Sequence, residues 1–465
     1  MNDYSTFITT KLRLHQGRGI EPGIAQTEHL MPHQDALVQW ALRKGRAAIF
    51  ADTGLGKTRM QLVWADAIQR AVGADVLILA PLAVAEQTVE EGAKIGICVT
   101  HARDQSQCRP GINITNYDRL HRFDTHGFNA VVLDESSIIK HHDSKTLTIL
   151  MDAFDHADYR LCATATPAPN DYTELGTHAQ FLGICSRAEM LSEYFVHDGG
   201  QTQSWRLKGH AKPEYWRWVA SWGAMIRSPA DLGFDGSAYD LPPLDVQQIT
   251  VETDAVALAG ELFARDAQTL SERRQARRDS LRHRVDACAQ MVNASEETWI
   301  IWCELNAEGD ALKAAIPDAI EIRGADTTEH KERALSDFAH GRIRVLISKP
   351  KIAGFGLNWQ HCARVAFIGV TDSFEAYYQA VRRCWRFGQT RPVHVFLYCS
   401  DQEGAVRDNL LRKEKDALAM LDSLSHETRA ALLDEVIGNK RQHNIYQPAA
   451  PIELPSFLCS AVGTP

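Results

Sequence analysis

The residues best suited to chemistry lie far apart along the chain. The run Ala51-Asp52-Thr53-Gly54-Leu55-Gly56-Lys57-Thr58 follows a short apolar stretch, Ala47 to Phe50. Backbone N–H groups around Gly54 and Gly56 can point at phosphate oxygens, and a helix starting there adds its positive end. Lys57 would neutralise the β- and γ-phosphates of a triphosphate, and the Thr58 hydroxyl would help hold magnesium. Ala51 stands where the strict loop pattern has Gly, so a plain strand-to-helix turn is the bland alternative. Downstream, Asp134-Glu135 closes another apolar run. One carboxylate can hold the metal while the other orients or deprotonates an attacking water. Alone, the pair reads equally well as a solvated strand end. Near the other end, Arg383 and Arg386 lie in Gln379-Ala380-Val381-Arg382-Arg383-Cys384-Trp385-Arg386-Phe387-Gly388-Gln389. Arginines so spaced can stabilise charge on a transferring phosphoryl group, or can simply form a solvated helix face. They reach a triphosphate at Lys57 only if two domains close on each other. Together these residues suggest ATP held in a cleft, with hydrolysis coupled to opening and closing of two lobes.

Those groups need rigid elements behind them. Apolar runs at 47–50, 76–81, 111–115, 130–133 and 159–164 read as strands, with a helix over about 59–72. Mostly apolar strands alternating with helices predict a parallel sheet with helices on both faces. The rhythm lapses over 186–245, a stretch rich in Gly, Trp and Pro, and a helix-like segment with a basic middle follows over about 254–293. It resumes with strands at 299–303, 320–322, 345–348, 364–368 and 393–398. The expected organisation is an extension over 1–27, a first α/β lobe over 28–185, a Trp-rich insertion and linker over 186–245, a second lobe over 246–440 and a tail over 441–465.

With 465 residues there is room for such an arrangement, and 45% apolar and 23% charged residues are ordinary for a globular chain. No apolar run approaches the roughly 20 residues that cross a bilayer, and Met1-Asn2-Asp3-Tyr4 lacks a signal-peptide pattern. Ten cysteines without a Cys-x-x-Cys spacing argue against a zinc ribbon and suit a reducing, cytoplasmic compartment. A net charge of −9 neither advertises nor excludes a nucleic-acid partner, because binding depends on local surface.

At this point the motifs resemble helicase superfamily two, and within it the Swi/Snf-type DNA-dependent ATPases. The resemblance covers roughly residues 28–400. It implies two RecA-like lobes with the ATP cleft between them. Pro32-His33-Gln34 followed by Trp40 looks like the family's adenine-reading element, with Gln34 the contact. The nucleotide set it implies is Gln34, Thr53, Gly54, Leu55, Gly56, Lys57, Thr58 and Gln379, with Thr58 and Asp134 for magnesium. After Asp134-Glu135 the family's usual Ala-His or Gly-His is replaced by Ser136-Ser137. That departure bears on how hydrolysis is coupled to DNA, a role that Thr164 and Thr166 in Ala163-Thr164-Ala165-Thr166-Pro167 are candidates to share. Asn170 and Glu174-Leu175 follow that motif, and Gly354-Phe355-Gly356-Leu357-Asn358-Trp359 resembles a second-lobe motif. The ending Arg386-Phe387-Gly388-Gln389 favours the Swi/Snf type over RNA helicases.

By the same resemblance, DNA, as a duplex, should lie across both lobes. The implied contacts are Pro81, Thr115 and Asn116 in the first lobe and Ser348, Gly354, Gly356 and Asn358 in the second. Small hydroxyls and loop amides there can bond phosphates without reading sequence. Two stretches stay open from the residues alone. Residues 271–284 hold Arg273, Arg274, Arg277, Arg278, Arg282 and Arg284 against Glu272 and Asp279, which reads as a solvated face or a phosphate-tracking surface. Trp205, Trp216, Trp218 and Trp222 are interleaved with Arg206, Lys208, Lys212 and Arg217, which reads as subdomain core or as a stacking platform for single strands. The expectation is therefore an ATP- and magnesium-dependent motor on duplex DNA, cytoplasmic and away from membranes. Its compactness suits a phage or bacterial protein recruited by a targeting partner. The rivals are a strand-separating DNA or RNA helicase, for which the Trp-rich stretch would supply the wedge, and a nucleotide-gated binding module with little turnover.

Overall fold

A computed structural model describes residues 14–15, 17–168, 171–197, 205–252, 278–353, 358–369, 374–400, 412 and 425–437. The first sheet is built from β1 (Arg46–Ala51), β2 (Val76–Ala80), β3 (Val99–His101), β4 (Ile112–Asn116), β5 (Ala130–Asp134) and β6 (Tyr159–Thr164). A small hairpin, β7 (Phe195–His197) with β8 (Trp205–Leu207), lies beside it, and β9 (Gly223–Ile226) returns to its edge. The strand order is β3-β4-β2-β5-β6-β1-β9, and neighbouring strands in this sheet run parallel.

Alternate residues show why these strands are so apolar. Ile49, Ile78 and Val132 join one buried cluster while Phe50, Leu77, Leu79 and Leu133 join another on the opposite face. A sheet covered by helices on both sides has no solvent-facing row to fill with polar residues. Helix α1 (Pro32–Lys44) begins with proline at its first turn and stops at Gly45, whose φ of 71° suits a glycine cap. Helix α2 (Lys57–Val72) starts from Gly56 and is capped by Gly73, whose N–H donates to Gln69 O at 2.9 Å.

The second sheet contains β10 (Leu244–Val251), β11 (Trp299–Trp302), β12 (Ala319–Glu321), β13 (Val345–Ser348), β14 (Arg364–Phe367) and β15 (Val393–Ser400). Its order is β10-β15-β14-β11-β13-β12, again with neighbouring strands parallel. Ile300 and Trp302 face one buried cluster, Trp299 and Ile301 the other. Two parallel sheets, each flanked by helices, are two RecA-like lobes. Among the described residues no helix is long and apolar enough to cross a membrane.

Several expectations change in detail. The stretch 186–245 is not an insertion: β9 completes the first sheet, and β10 opens the second. Tyr215, Trp216, Trp218 and Trp222 pack in the first lobe's core with Met190 and Tyr194, so those aromatics are core and not a stacking platform. Their apolar area is too large to leave in water when a neighbouring sheet face can cover it. Trp205 is half-buried, its ring 3.8 Å from that of His197. The second-lobe range also needs trimming, because helical residues 425–436 pack on the first lobe. Leu432 and Val436 join its core, and Lys44 pairs with Glu435 at 2.7 Å. Of the basic stretch, Arg273, Arg274 and Arg277 lie outside the described residues. Arg284 is fully buried in an ion pair with Glu308 at 3.0 Å, so it belongs to the core and not to a phosphate-tracking face.

Candidate nucleotide site

Parallel order brings the chemistry together. The order β5-β6-β1 sets three carboxyl ends side by side, with Asp134 in register with Ala163 and Thr164 with Phe50. Ligands of such sheets sit outside those ends. From β1 the chain enters the loop at Asp52, whose Oδ1 accepts the Thr53 N–H at 2.6 Å. Gly54 has φ of 95° and Gly56 φ of 82°, conformations that cost L side chains energy. Space is also tight there. A Cβ on Gly54 would lie 3.0 Å from Phe387 of the second lobe, and one on Gly56 would lie 2.2 Å from Gln34 Nε2. The loop is thus pressed between α1 and the opposite lobe.

Gln34 donates from Nε2 to Leu55 O at 2.9 Å and accepts the Met31 N–H at 3.0 Å. Lys57 Nζ donates to Ala51 O at 2.9 Å. Burial pushes its ammonium below the usual lysine range, opposed by Glu135, Asp134 and Asp52. Asp134 accepts from Gln61 Nε2 at 2.6 Å, and its backbone carbonyl accepts from Tyr117 Oη at 2.7 Å. Burial, then the neighbouring Glu135, raises the Asp134 carboxyl to about 6. Glu135 is the non-glycine residue with positive φ, 51°, among the described residues. Strain of this kind persists where the surroundings over-determine it and is concentrated at functional sites.

The second lobe supplies the cations. Arg383 and Arg386 line the same cavity of about 260 Å³ as Gln34, Thr53, Gly54, Gly56, Lys57, Thr58, Asp134 and Glu135. Burial lowers Arg383 to about 10 and Arg386 to about 9, so both stay charged near neutral pH. Three cations around one cavity, Arg383 buried and Lys57 and Arg386 half-buried, suit a polyphosphate, which would return the charge compensation that desolvation removes. The Thr58 hydroxyl and the Asp134 carboxylate are hard oxygen donors of the kind magnesium takes, with substrate phosphates completing its shell. Among the described residues no cluster of three or more His, Cys, Asp or Glu side chains forms a metal site of protein ligands alone.

Across the cleft, Gln379 Nε2 donates to Thr166 Oγ1 at 3.3 Å. The Thr166 N–H donates to Thr164 Oγ1 at 3.2 Å, and Thr164 Oγ1 donates to Glu135 Oε2 at 3.4 Å. Where the resemblance expects a histidine after the acidic pair, Ser136 Oγ instead meets Nε2 of a buried His178 at 3.2 Å. That histidine comes from the helix Leu175–Phe181.

The surface expectations fare differently. Thr115 is fully buried in β4, Asn116 caps the following turn by accepting the Arg119 N–H at 3.0 Å, and Ser348 is fully buried, donating to Ile322 O at 3.3 Å. The Thr115 and Ser348 side chains face the interior because both faces of each sheet are covered, and the Asn116 side chain is taken up by the turn it caps. Pro81 is half-buried, and Asn358 lines the nucleotide-sized cavity. Gly354, Gly356 and Asn170 lie outside the described residues. Arg382, Asp52, Tyr378, Gln61, His178 and the Tyr239–Phe387 stack, at 4.6 Å between ring centroids, were not singled out by sequence reasoning. Asp52 and Arg382 stand inside the two quoted runs, and Gln61 lies one helical turn beyond Thr58, so these three carried a local signal.

The fold and site define a protein of two RecA-like lobes whose cleft is lined from both sides. A model of the SNF2-related domain matches residues 33–217, and one of the helicase conserved C-terminal domain matches residues 283–388. The chain belongs to helicase superfamily two, Swi/Snf type. Proteins of this family are in general ATP hydrolases of the helicase class, and homologues of this chain act on DNA. It is similar to the SWI/SNF-related matrix-associated actin-dependent regulator of chromatin subfamily A-like protein 1 of Drosophila melanogaster, 23% identical over 444 residues, 89% of this chain and 58% of that protein. It is also similar to the bifunctional helicase and thymine dioxygenase JBP2 of Leishmania infantum and of Leishmania major. Each is 29% identical over 118 residues, 25% of this chain and 10% of the relative. The chain thus spans little more than half of the fly protein and a tenth of the JBP2 proteins.

Proposed function

We propose that the chain is a DNA-dependent ATPase that moves along duplex DNA by opening and closing its lobes. The observation that carries this reading is that Arg383 and Arg386, from one lobe, line one cavity with Lys57, Asp134 and Glu135 from the other. In this reading Gln34, beside Met31 and Tyr239, marks the base end of the cavity, and the Gly54–Thr58 backbone cradles the phosphates. Lys57 neutralises them. Thr58 and Asp134 would hold magnesium, which would offset charge developing on the phosphates. Glu135 accepts a proton from the attacking water. Arg383 and Arg386 stabilise the transferring phosphoryl group and tie its presence to closure.

The relay Gln379–Thr166–Thr164–Glu135 supports coupling of closure to hydrolysis, since it joins the second lobe to the acidic pair. Strand separation loses its candidate wedge, because Trp216, Trp218 and Trp222 are buried. Duplex preference, a targeting partner and a bacterial or phage cytoplasm belong to this proposal as expectations. The experiment is steady-state ATP hydrolysis with no nucleic acid, duplex DNA, single-stranded DNA or RNA, with Glu135→Gln as the blank. Strongest stimulation by duplex is the expected result. Stimulation by single strands or RNA alone would replace the translocase with a helicase.

A further inference from the structure

Between the lobes lies a contact set that the nucleotide chemistry does not use. Arg382 reaches from the second lobe into the loop entrance of the first. One of its guanidinium nitrogens lies 3.0 Å from Asp52 Oδ2 and donates to Thr53 O at 3.1 Å. Tyr378, one helical turn earlier, donates from its hydroxyl to Asp52 Oδ1 at 3.3 Å. The guanidinium is packed between the rings of Tyr378 and Trp385, at 5.6 and 5.2 Å from their centroids. The side chains of Arg382 and Asp52 are 7% and 14% exposed, so solvent screens the pair little. Asp52 also fixes the Thr53 N–H, so both backbone groups of Thr53 are bound to members of this cluster.

We propose that Arg382 is a positioning residue: its ion pair with Asp52 latches the lobes together and sets the phosphate loop before ATP arrives. This rests on the ATPase reading above for its effect on turnover, and on geometry alone for its effect on closure. Arg382 immediately precedes Arg383, so the latch and the cation that lines the cavity share one backbone turn. Anchoring Arg382 to Asp52 fixes where Arg383 and Arg386 enter. A buried ion pair with one partner removed leaves an uncompensated charge, so loss of either member should open the same contact.

The test is a double-mutant cycle with Arg382→Gln, Asp52→Asn and both together, plus Arg382→Lys. Two quantities are read: kcat and KM for ATP, and the radius of gyration of the nucleotide-free protein by small-angle scattering. Each single variant should lower kcat by about tenfold with a smaller change in KM, and the double variant should be no worse than either single. Arg382→Lys should recover part of the loss, as it keeps the charge but not the planar fork. The radius of gyration should rise in Arg382→Gln and Asp52→Asn at an unchanged thermal midpoint. Additive losses in the cycle, or an unchanged radius, would overturn the latch. If the wild type hydrolyses no ATP under any condition, the functional reading fails, and the scattering arm still decides the latch.

Discussion

Gln379 of the second lobe and Thr166 of the first are joined by a buried hydrogen bond, Nε2 to Oγ1 at 3.3 Å. Through Thr164 this bond continues to Glu135, so the acid proposed to activate water is connected by hydrogen bonds to the opposite lobe. Thr166→Val keeps the shape and removes the acceptor. It should lower nucleic-acid-stimulated turnover by roughly tenfold, the loss of about one to two kcal/mol of a buried bond, while basal ATP binding stays intact. Comparing stimulated with basal rates checks it, and an equal fall in both would place Thr166 in the chemistry instead of the coupling.

Lys57→Ala should abolish ATP turnover. Its ammonium donates to Ala51 O at the loop, and the residue lines the cavity together with Asp134 and Glu135. Hydrolysis at the wild-type rate in this variant would sink the assigned site.

Arg386→Ala should keep ATP binding and lose turnover by at least about tenfold, since arginine fingers typically supply about 10³ or more. Equilibrium binding of a fluorescent ATP analogue, run beside the rate assay, separates the two effects. Loss of binding would mean that Arg386 holds the cleft's structure.

Gly54→Ala should impair lobe closure more than folding. The added Cβ meets Phe387 Cβ and N at 3.0 Å, and φ of 95° is strained for alanine by about 1 kcal/mol or more. Scattering should show a more open nucleotide-free protein with a small change in thermal midpoint. An unaltered radius would show that Phe387 yields.

Acid should destabilise the fold through the buried His178 and the half-buried His15. Burial lowers His178 from 6.5 to about 4, and His15 likewise to about 4. A folded-state value below the unfolded one means that the unfolded chain binds more protons between those limits. The contribution is therefore whole above about pH 6.5 and is lost as pH falls toward 4. For His178 alone it amounts to about 3 kcal/mol at most. Urea unfolding at pH 7 and pH 5 measures the slope, and His178→Gln should flatten it; an equal slope in that variant would remove His178 as the cause.

Much of the site was legible because its signals are local. An apolar strand, glycines at 54 and 56 and the Lys57-Thr58 pair must be neighbours in sequence to form one loop, so composition and spacing reveal them. The acidic pair at the end of β5 was readable for the same reason. The burial of Thr115 and Ser348 was not legible, because a small hydroxyl at a strand end looks alike whether it faces outward or the interior. Both faces of these sheets are covered, and that fact belongs to packing. The Trp-rich stretch misled as a linker because β9 is an edge strand, only Gly223–Ile226, too short to announce itself.

By itself the sequence determined two parallel α/β lobes, the phosphate loop, the acidic pair and the arginine motif, since each depends on residues close along the chain. Only the tertiary structure decided what meets across the cleft. Arg382 and Thr53 are 329 positions apart, Tyr378 and Asp52 326, and Gln379 and Thr166 213. No local preference encodes such pairs. They follow from strand order, which fixes where each loop emerges, and from closure, which determines which side chains lose water together.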